Sequence, residues 1–114
     1  MARRLKPSWW DRLALVPWRI VADVESADEI PDKLPRRGAV LVSAGKRNKW
    51  IAFDCPCQLG HRIMLNLDSA RYPYWQIRRD KKDRLTISPS VSSRESNRYC
   101  HYFIREGKVI WARD

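Results

Sequence analysis

Short apolar runs broken by polar or glycine-bearing turns dominate this chain, and their period favours strands over helices. Residues 39–43 and 49–54 read as strands joined by the turn Ala44-Gly45-Lys46-Arg47-Asn48. Across residues 62–67, Ile63, Leu65 and Leu67 share one face of an extended segment. Residues 74–78 and 84–87 predict a hairpin with a charged tip around Asp80-Lys81-Lys82-Asp83. Residues 102–105 and 108–111 flank Glu106-Gly107, an Asp-Gly-like two-residue hairpin turn. Ser88 to Asn97 reads as a polar, serine-rich loop between the last two units.

Upstream, residues 18–24 suit a strand. Ser26-Ala27-Asp28-Glu29 is a capping-box pattern for a helix of one or two turns, kept short by Pro31 and Pro35. Trp9, Trp10, Leu13 and Val16 recur at helical spacing until Pro17. They predict a short helix covering one face of the core. Because Arg3, Arg4, Lys6 and Arg12 flank the tryptophans, a docking or membrane-surface helix fits the same residues. The expected architecture is mainly β (α+β). A Trp-rich extension and short helix over residues 1–36 precede a small antiparallel sheet and hairpin domain over residues 37–114.

Composition narrows this picture. A chain of 114 residues makes one domain with a modest core, which a crosslink closing a long loop would help. Six Trp, four Tyr and two Phe argue for a folded protein. The formal net charge of +10, spread through the chain, favours acidic partners: nucleic acid, an anionic membrane surface or an acidic protein. The basic start Met1-Ala2-Arg3-Arg4 leads into no apolar signal region, and no stretch is long enough to span a membrane. Three cysteines cannot all pair within one monomer. A cytoplasmic location with reduced, metal-competent thiols is the expectation.

All three cysteines and both histidines fall in two patches, Cys55-Pro56-Cys57-Gln58-Leu59-Gly60-His61 and Cys100-His101. Zinc takes four sulfur or nitrogen ligands in a tetrahedron. Cys55 and Cys57 lie two apart, so on an extended segment both sulfurs point to one side. Gly60 lets the chain turn tightly and return His61. Cys55, Cys57, His61 and Cys100 form the preferred ligand set, and a set with His101 in place of His61 is the alternative. Four protein ligands leave no position for water, so such a zinc would be structural. Buried thiols and ordinary histidines with no metal are the plainer account of the same residues.

With His61 assigned to the metal, His101 is a second imidazole beside a metal-anchored cysteine. The Thr86-Ile87-Ser88-Pro89-Ser90-Val91 stretch carries two hydroxyls in a proline-fixed turn. A serine becomes a nucleophile when an imidazole takes its proton and a third group orients that imidazole. Ser90 and Ser88 are the candidate nucleophiles and His101 the candidate base. Asp54, Asp68 and Glu106 are candidate orienting acids. No G-x-S-x-G elbow is present. Serines that only cap a turn would produce the same sequence.

The order of several patches carries a resemblance over residues 37–112. These are Trp50-Ile51-Ala52-Phe53-Asp54-Cys55-Pro56-Cys57, His61-Arg62-Ile63, Leu65-Asn66-Leu67, Trp75, Leu85-Thr86-Ile87-Ser88-Pro89-Ser90-Val91, and Cys100-His101-Tyr102-Phe103-Ile104 through Trp111. Together they resemble a small bacterial family encoded beside ubiquitin-like proteins and their activating and conjugating enzymes. It is the serine deubiquitinase-like component of Bub-type pathways. The resemblance implies cleavage after the C-terminus of a ubiquitin-like protein, and that protein and its conjugation enzymes as partners. It also implies a nucleophile on the Ser-Pro-Ser segment, Ser90 or Ser88, and His101 as base. Two departures stand out. Many family members read C-P-C-x-C-G, where this chain has Leu59, with His61 as the substitute ligand the resemblance implies. Their last Cys and His are separated by two residues, whereas Cys100 and His101 are adjacent.

Three readings therefore leave the sequence. The first is a zinc-stabilised serine hydrolase acting on a ubiquitin-like modifier. The second is a non-catalytic zinc-binding adaptor of the same pathway. The third is a nucleic-acid-binding zinc module, with Arg78, Arg79, Lys81, Lys82 and Arg84 as the basic element and Tyr72, Tyr74 and Trp75 available for stacking on bases.

Overall fold

A computed structural model describes residues 16–57, 60–95 and 98–112. These residues form two four-stranded sheets. The first holds β1 (Arg19–Val24), β2 (Gly38–Ala44), β3 (Arg47–Asp54) and β4 (Arg62–Asn66), in that spatial order. The second holds β5 (Gln76–Arg79), β6 (Leu85–Glu95), β7 (Arg98–Arg105) and β8 (Lys108–Trp111). Neighbours pair antiparallel, except that β1 runs parallel to β2. β1 and β4 edge the first sheet, β5 and β8 the second.

The α component of the expected class is corrected to mainly β. The helical structure of the described residues is a single 3-10 turn, Ala27–Glu29. Its capping residue works as the pattern predicts, with the Glu29 carboxylate accepting the Ser26 N–H at 3.1 Å. Pro31 follows before a second turn could form. The helix expected through Trp9, Trp10 and Leu13 lies outside the described residues, which give it no support. No helix among them is long and apolar enough to cross a membrane.

A second correction concerns the serine-rich stretch after residue 88, which is strand. β6 continues to Glu95, and its Ser92, Ser93 and Arg94 pair with His101, Cys100 and Tyr99 of β7. Serine has no strong strand preference of its own. Pairing with an apolar neighbour strand and the burial of Val91 override that local weakness.

The two sheets meet over one core. Trp18, Ile20, Leu41, Ile51, Phe53, Ile63 and Leu65 come from the first side, and Leu85, Ile87, Val91, Tyr102 and Ile104 from the second. Trp18 and Phe53 stack edge to face at 5.6 Å. Each such fully buried side chain contributes roughly 1.5–3 kcal/mol. Gly38 to Val42 are all buried, which explains the continuous apolar run of β2.

Residues 17–20 seam the sheets together. Trp18 N–H donates to Gly107 O at 2.8 Å, Leu85 N–H to Trp18 O at 3.0 Å, and Ile20 N–H to Asp83 O at 3.0 Å. Gly107, in the predicted turn between β7 and β8, has a φ of 82°. A Cβ there would sit 2.7 Å from Pro17 Cβ, so glycine is required both for the turn and for the close approach.

Candidate active site and metal cluster

Strand β7 presents two chemistries because successive side chains on a strand face opposite ways. Cys100, Tyr102 and Ile104 are buried toward the core. Tyr99, His101, Phe103 and Arg105 alternate with them and are half-buried or exposed. Adjacent Cys100 and His101 are thereby sent to different sides of one sheet.

On the outer side, Ser90 Oγ lies 2.8 Å from His101 Nε2. A local irregularity of β6 places the serine. Ile87 pairs with Ile104 and Val91 with Tyr102, so four steps along β6 match two along β7. The surplus residues are in Ser88-Pro89-Ser90. A bulge is where a strand tolerates a proline, which has no N–H for the ladder, and where a strand re-aims a side chain. Trp75 Nε1 donates to the Ser90 carbonyl at 3.0 Å and so holds the bulge from outside the pairing. The His101 ring is flanked by Tyr99 and Phe103, each with its ring centre 6.2 Å away. The Arg94 and Arg105 guanidiniums cap those two rings at 5.4 and 4.7 Å. His101 therefore stands in an aromatic, cation-edged row.

On the inner side, the ligand atoms of Cys55, Cys57 and His61 lie within 4.8 Å of one another, a group that could hold a metal ion. Cys55 and Cys57 follow directly on β3. His61 is brought back by Gly60, whose φ of 82° requires glycine, and the turn closes through Cys55 N–H to His61 O at 3.0 Å. Cys57 Sγ is 3.8 Å from His61 Nδ1. The ring's other nitrogen, Nε2, is 3.2 Å from Ser93 Oγ on β6. Cys100 is buried against Cys55 and Cys57. Its thiol is pushed up to about 12 by burial and by these two neighbours. Burial also raises the Cys55 thiol. The Tyr102 hydroxyl, 3.9 Å from Cys55 Sγ, is raised by burial and then by that cysteine. Clustered thiols that oppose one another's ionisation are the donor chemistry a divalent cation relieves. Donor type, convergence and burial fit a metal bound by thiolates and imidazole.

The structure thus brings together the residues singled out from sequence as two groups. Cys55, Cys57 and His61 cluster, with Cys100 beside them, and His101 is turned away to Ser90. Ser88 is exposed and pairs with Gln76 of β5. The carboxylates considered as orienting acids have other engagements. Asp54 Oδ1 accepts from Arg62 Nε at 2.8 Å, and Asp68 Oδ1 from the Ala70 N–H at 3.0 Å. Glu106 sits in the far turn, its N–H donating to Thr86 Oγ1 at 2.9 Å. Trp75, Ser93 and Tyr102 are contributors that sequence reasoning did not assign to the site. A cavity of about 800 Å³ lined by Trp18, Pro35, Arg37, Cys55, Gly107 and Trp111, among others, has neither Ser90 nor His101 in its wall.

No curated protein and no solved structure matches the chain significantly. A family model does, over residues 26–112, and it describes serine proteases of bacterial ubiquitination-like systems. That match spans most of the chain, including both sides of β7 and the bulge of β6, and the chain belongs to this BubE family.

Proposed function

We propose that this protein is a serine hydrolase that cleaves a bacterial ubiquitin-like modifier after its C-terminus. Ser90 is the nucleophile, His101 the base, and a zinc ion on Cys55, Cys57, His61 and Cys100 the structural clamp. The observation that carries the reading is the 2.8 Å approach of Ser90 Oγ to His101 Nε2. It falls within the distance a proton transfer needs. The family's description as proteases of ubiquitination-like systems supports the substrate class. An acidic modifier surface suits a chain of net charge +10.

The chemistry follows from those two side chains. Ser90 Oγ attacks the carbonyl carbon that ends the modifier, and its proton passes to His101 Nε2. The tetrahedral intermediate collapses with expulsion of the amine or alcohol of the conjugated partner, which takes the proton from His101. Water, deprotonated by His101, then attacks the acyl-serine. The carboxylate of the modifier leaves and Ser90 regains its proton. Zinc would supply cohesion, joining the loop after β3 to β7, with four protein donors and no position left for water. Trp75 keeps the bulge in place through the Ser90 carbonyl.

The test is a native mass spectrum of the purified protein after exposure to a serine-directed fluorophosphonate, with Ser90→Ala in parallel. A modifier carrying a C-terminal extension is assayed alongside. The expected result is one bound zinc and one adduct, with adduct and cleavage both lost in Ser90→Ala. Cleavage retained by that variant would remove Ser90 from the mechanism. Zinc without adduct or cleavage would favour the non-catalytic adaptor.

A further inference from the structure

The two histidines of the chain each meet a serine of β6, and only one of these contacts is accounted for by hydrolysis. His61 turns its Nδ1 edge toward Cys57 Sγ, at 3.8 Å, and its Nε2 toward Ser93 Oγ, at 3.2 Å. Both residues are half-buried. A histidine that binds a metal through one ring nitrogen carries its proton on the other. A fixed acceptor for that proton sets the tautomer and the ring orientation. The Ser93 hydroxyl is such an acceptor.

Its place in the fold gives the contact reach. Ser93 pairs with Cys100, and the next pair along is Ser92 with His101. Ser93 is also three residues beyond Ser90 on the same strand. The His61–Ser93 contact thus joins the loop after β3 to the β6–β7 ladder, next to the strand pair that carries the base.

We propose that Ser93 is a positioning residue that holds His61 in the tautomer binding metal through Nδ1 and ties the metal cluster to the strand bearing Ser90. The proposal rests on the metal reading of Cys55, Cys57, His61 and Cys100, and is independent of whether Ser90 turns over substrate. It extends the site beyond its ligands to a residue with no donor atom in the metal cluster itself.

The test compares Ser93→Thr with Ser93→Val. The two replacements have nearly the same shape and both suit a strand, so they differ chiefly in the hydroxyl. Each full-length variant and the unmodified protein is titrated with Co²⁺ under reducing conditions, reading the visible absorption of cobalt bound by thiolate. Long-range ¹H–¹⁵N spectra of the zinc-loaded proteins report which His61 nitrogen carries the proton. Ser93→Thr should bind Co²⁺ as the unmodified chain does and keep a single Nε2-protonated His61. Ser93→Val should lose on the order of 10- to 100-fold in Co²⁺ affinity and the single tautomer pattern. Equal affinity and the same His61 pattern in Thr and Val variants would overturn the assignment of Ser93 alone. Absence of Co²⁺ uptake by the unmodified chain would overturn the metal reading together with it.

Discussion

His61 and His101 make nearly the same contact in different surroundings. Each places Nε2 against a serine of β6, His61 on Ser93 at 3.2 Å and His101 on Ser90 at 2.8 Å. What differs is the rest of the surroundings. His61 has its other edge on a cysteine within a buried thiol cluster, while His101 stands between Tyr99 and Phe103 on the outer face. On the proposed reading one ring is a ligand and the other a base. A Ser–His contact is thus shared by both pairs, the shorter of them at Ser90, and what further separates them is the company on the far side of the imidazole and the face of the sheet.

The sharpest way to break the comparison is to remove each serine's partner function in turn. Ser90→Ala should lower the cleavage rate by roughly 10⁴-fold or more, since the nucleophile and base act as a unit. Zinc content by mass spectrometry should be unchanged and the melting temperature should fall by only a few degrees, because the hydrogen bond that Ser90 Oγ loses is to His101 and not to the thiols. Rate measurement with saturating modifier fusion checks the first statement and thermal unfolding the second. A comparable rate loss in Ser93→Val at saturating metal would erase the distinction between the two pairs.

Metal removal addresses the inner cluster. Chelation, or Cys57→Ser, should cost about 3 kcal/mol or more of stability, because metal binding to a site absent from the unfolded chain counts as folding free energy. For a domain of this size that is a drop of about 10–20 °C in melting temperature, read by circular dichroism. Activity should fall with it, since Cys100 and His101 are neighbours on one strand. Unchanged stability after complete chelation would leave the cluster as buried thiols without a structural metal.

Much of this architecture was legible in the sequence. The strands β2, β3, β4 and β8 and the Glu106-Gly107 turn follow from alternation and turn chemistry, within a few residues of their observed ends. The clustering of Cys55, Cys57 and His61 was legible because the cysteines and histidines are few and fall in two short patches. That Cys100 and His101 face opposite sides of the sheet was also implicit in the two-residue period of a strand, once β7 is known to reach back to Arg98. The extent of β6 was not legible. Its serines have no apolar alternation beyond Val91, and its pairing partner is fixed only by the fold. The bulge around Pro89 was hidden for the same reason, and with it the contacts of Trp75 with Ser90 and of Ser93 with His61. For the basic hairpin, the plainer account of a solvated tip with interleaved carboxylates agrees with its ion pairs. Arg79 pairs with Asp23 and Asp83, each at 3.0 Å, and Arg84 with Asp80 at 2.6 Å, so interleaved carboxylates neutralise part of its charge. These are exposed pairs, screened by solvent, and add little to stability.

Trp75 offers a finer cut at the outer site. Trp75→Phe keeps an aromatic ring against the core and deletes the Nε1–H that reaches the Ser90 carbonyl, together with part of the indole's volume. One hydrogen bond contributes about 0.5–1.5 kcal/mol, so a bulge held by it should lose roughly 3- to 10-fold in cleavage rate. Fluorophosphonate labelling of Ser90 should slow in parallel, while zinc content stays at one ion. A rate unchanged by Trp75→Phe would show that the β6–β7 pairing alone positions Ser90.

The smallest effect separates the two hydroxyls of the Ser-Pro-Ser segment. Ser88 and Ser90 lie two apart, a spacing that on a regular strand would put both on one face. The bulge breaks that equivalence. Ser88 is exposed and in register with Gln76 of β5, whereas Ser90 is half-buried and against His101. Ser88→Ala removes a solvated hydroxyl and leaves Pro89, the bulge and the imidazole in place. Surface changes of this kind stay within about 0.5 kcal/mol, so the cleavage rate should move by no more than roughly 2- to 3-fold. The fluorophosphonate adduct should remain, and peptide mapping should find it on Ser90. An adduct on Ser88, or its loss in Ser88→Ala with Ser90 intact, would transfer the nucleophile two residues along the strand and make the Ser90–His101 contact a structural one.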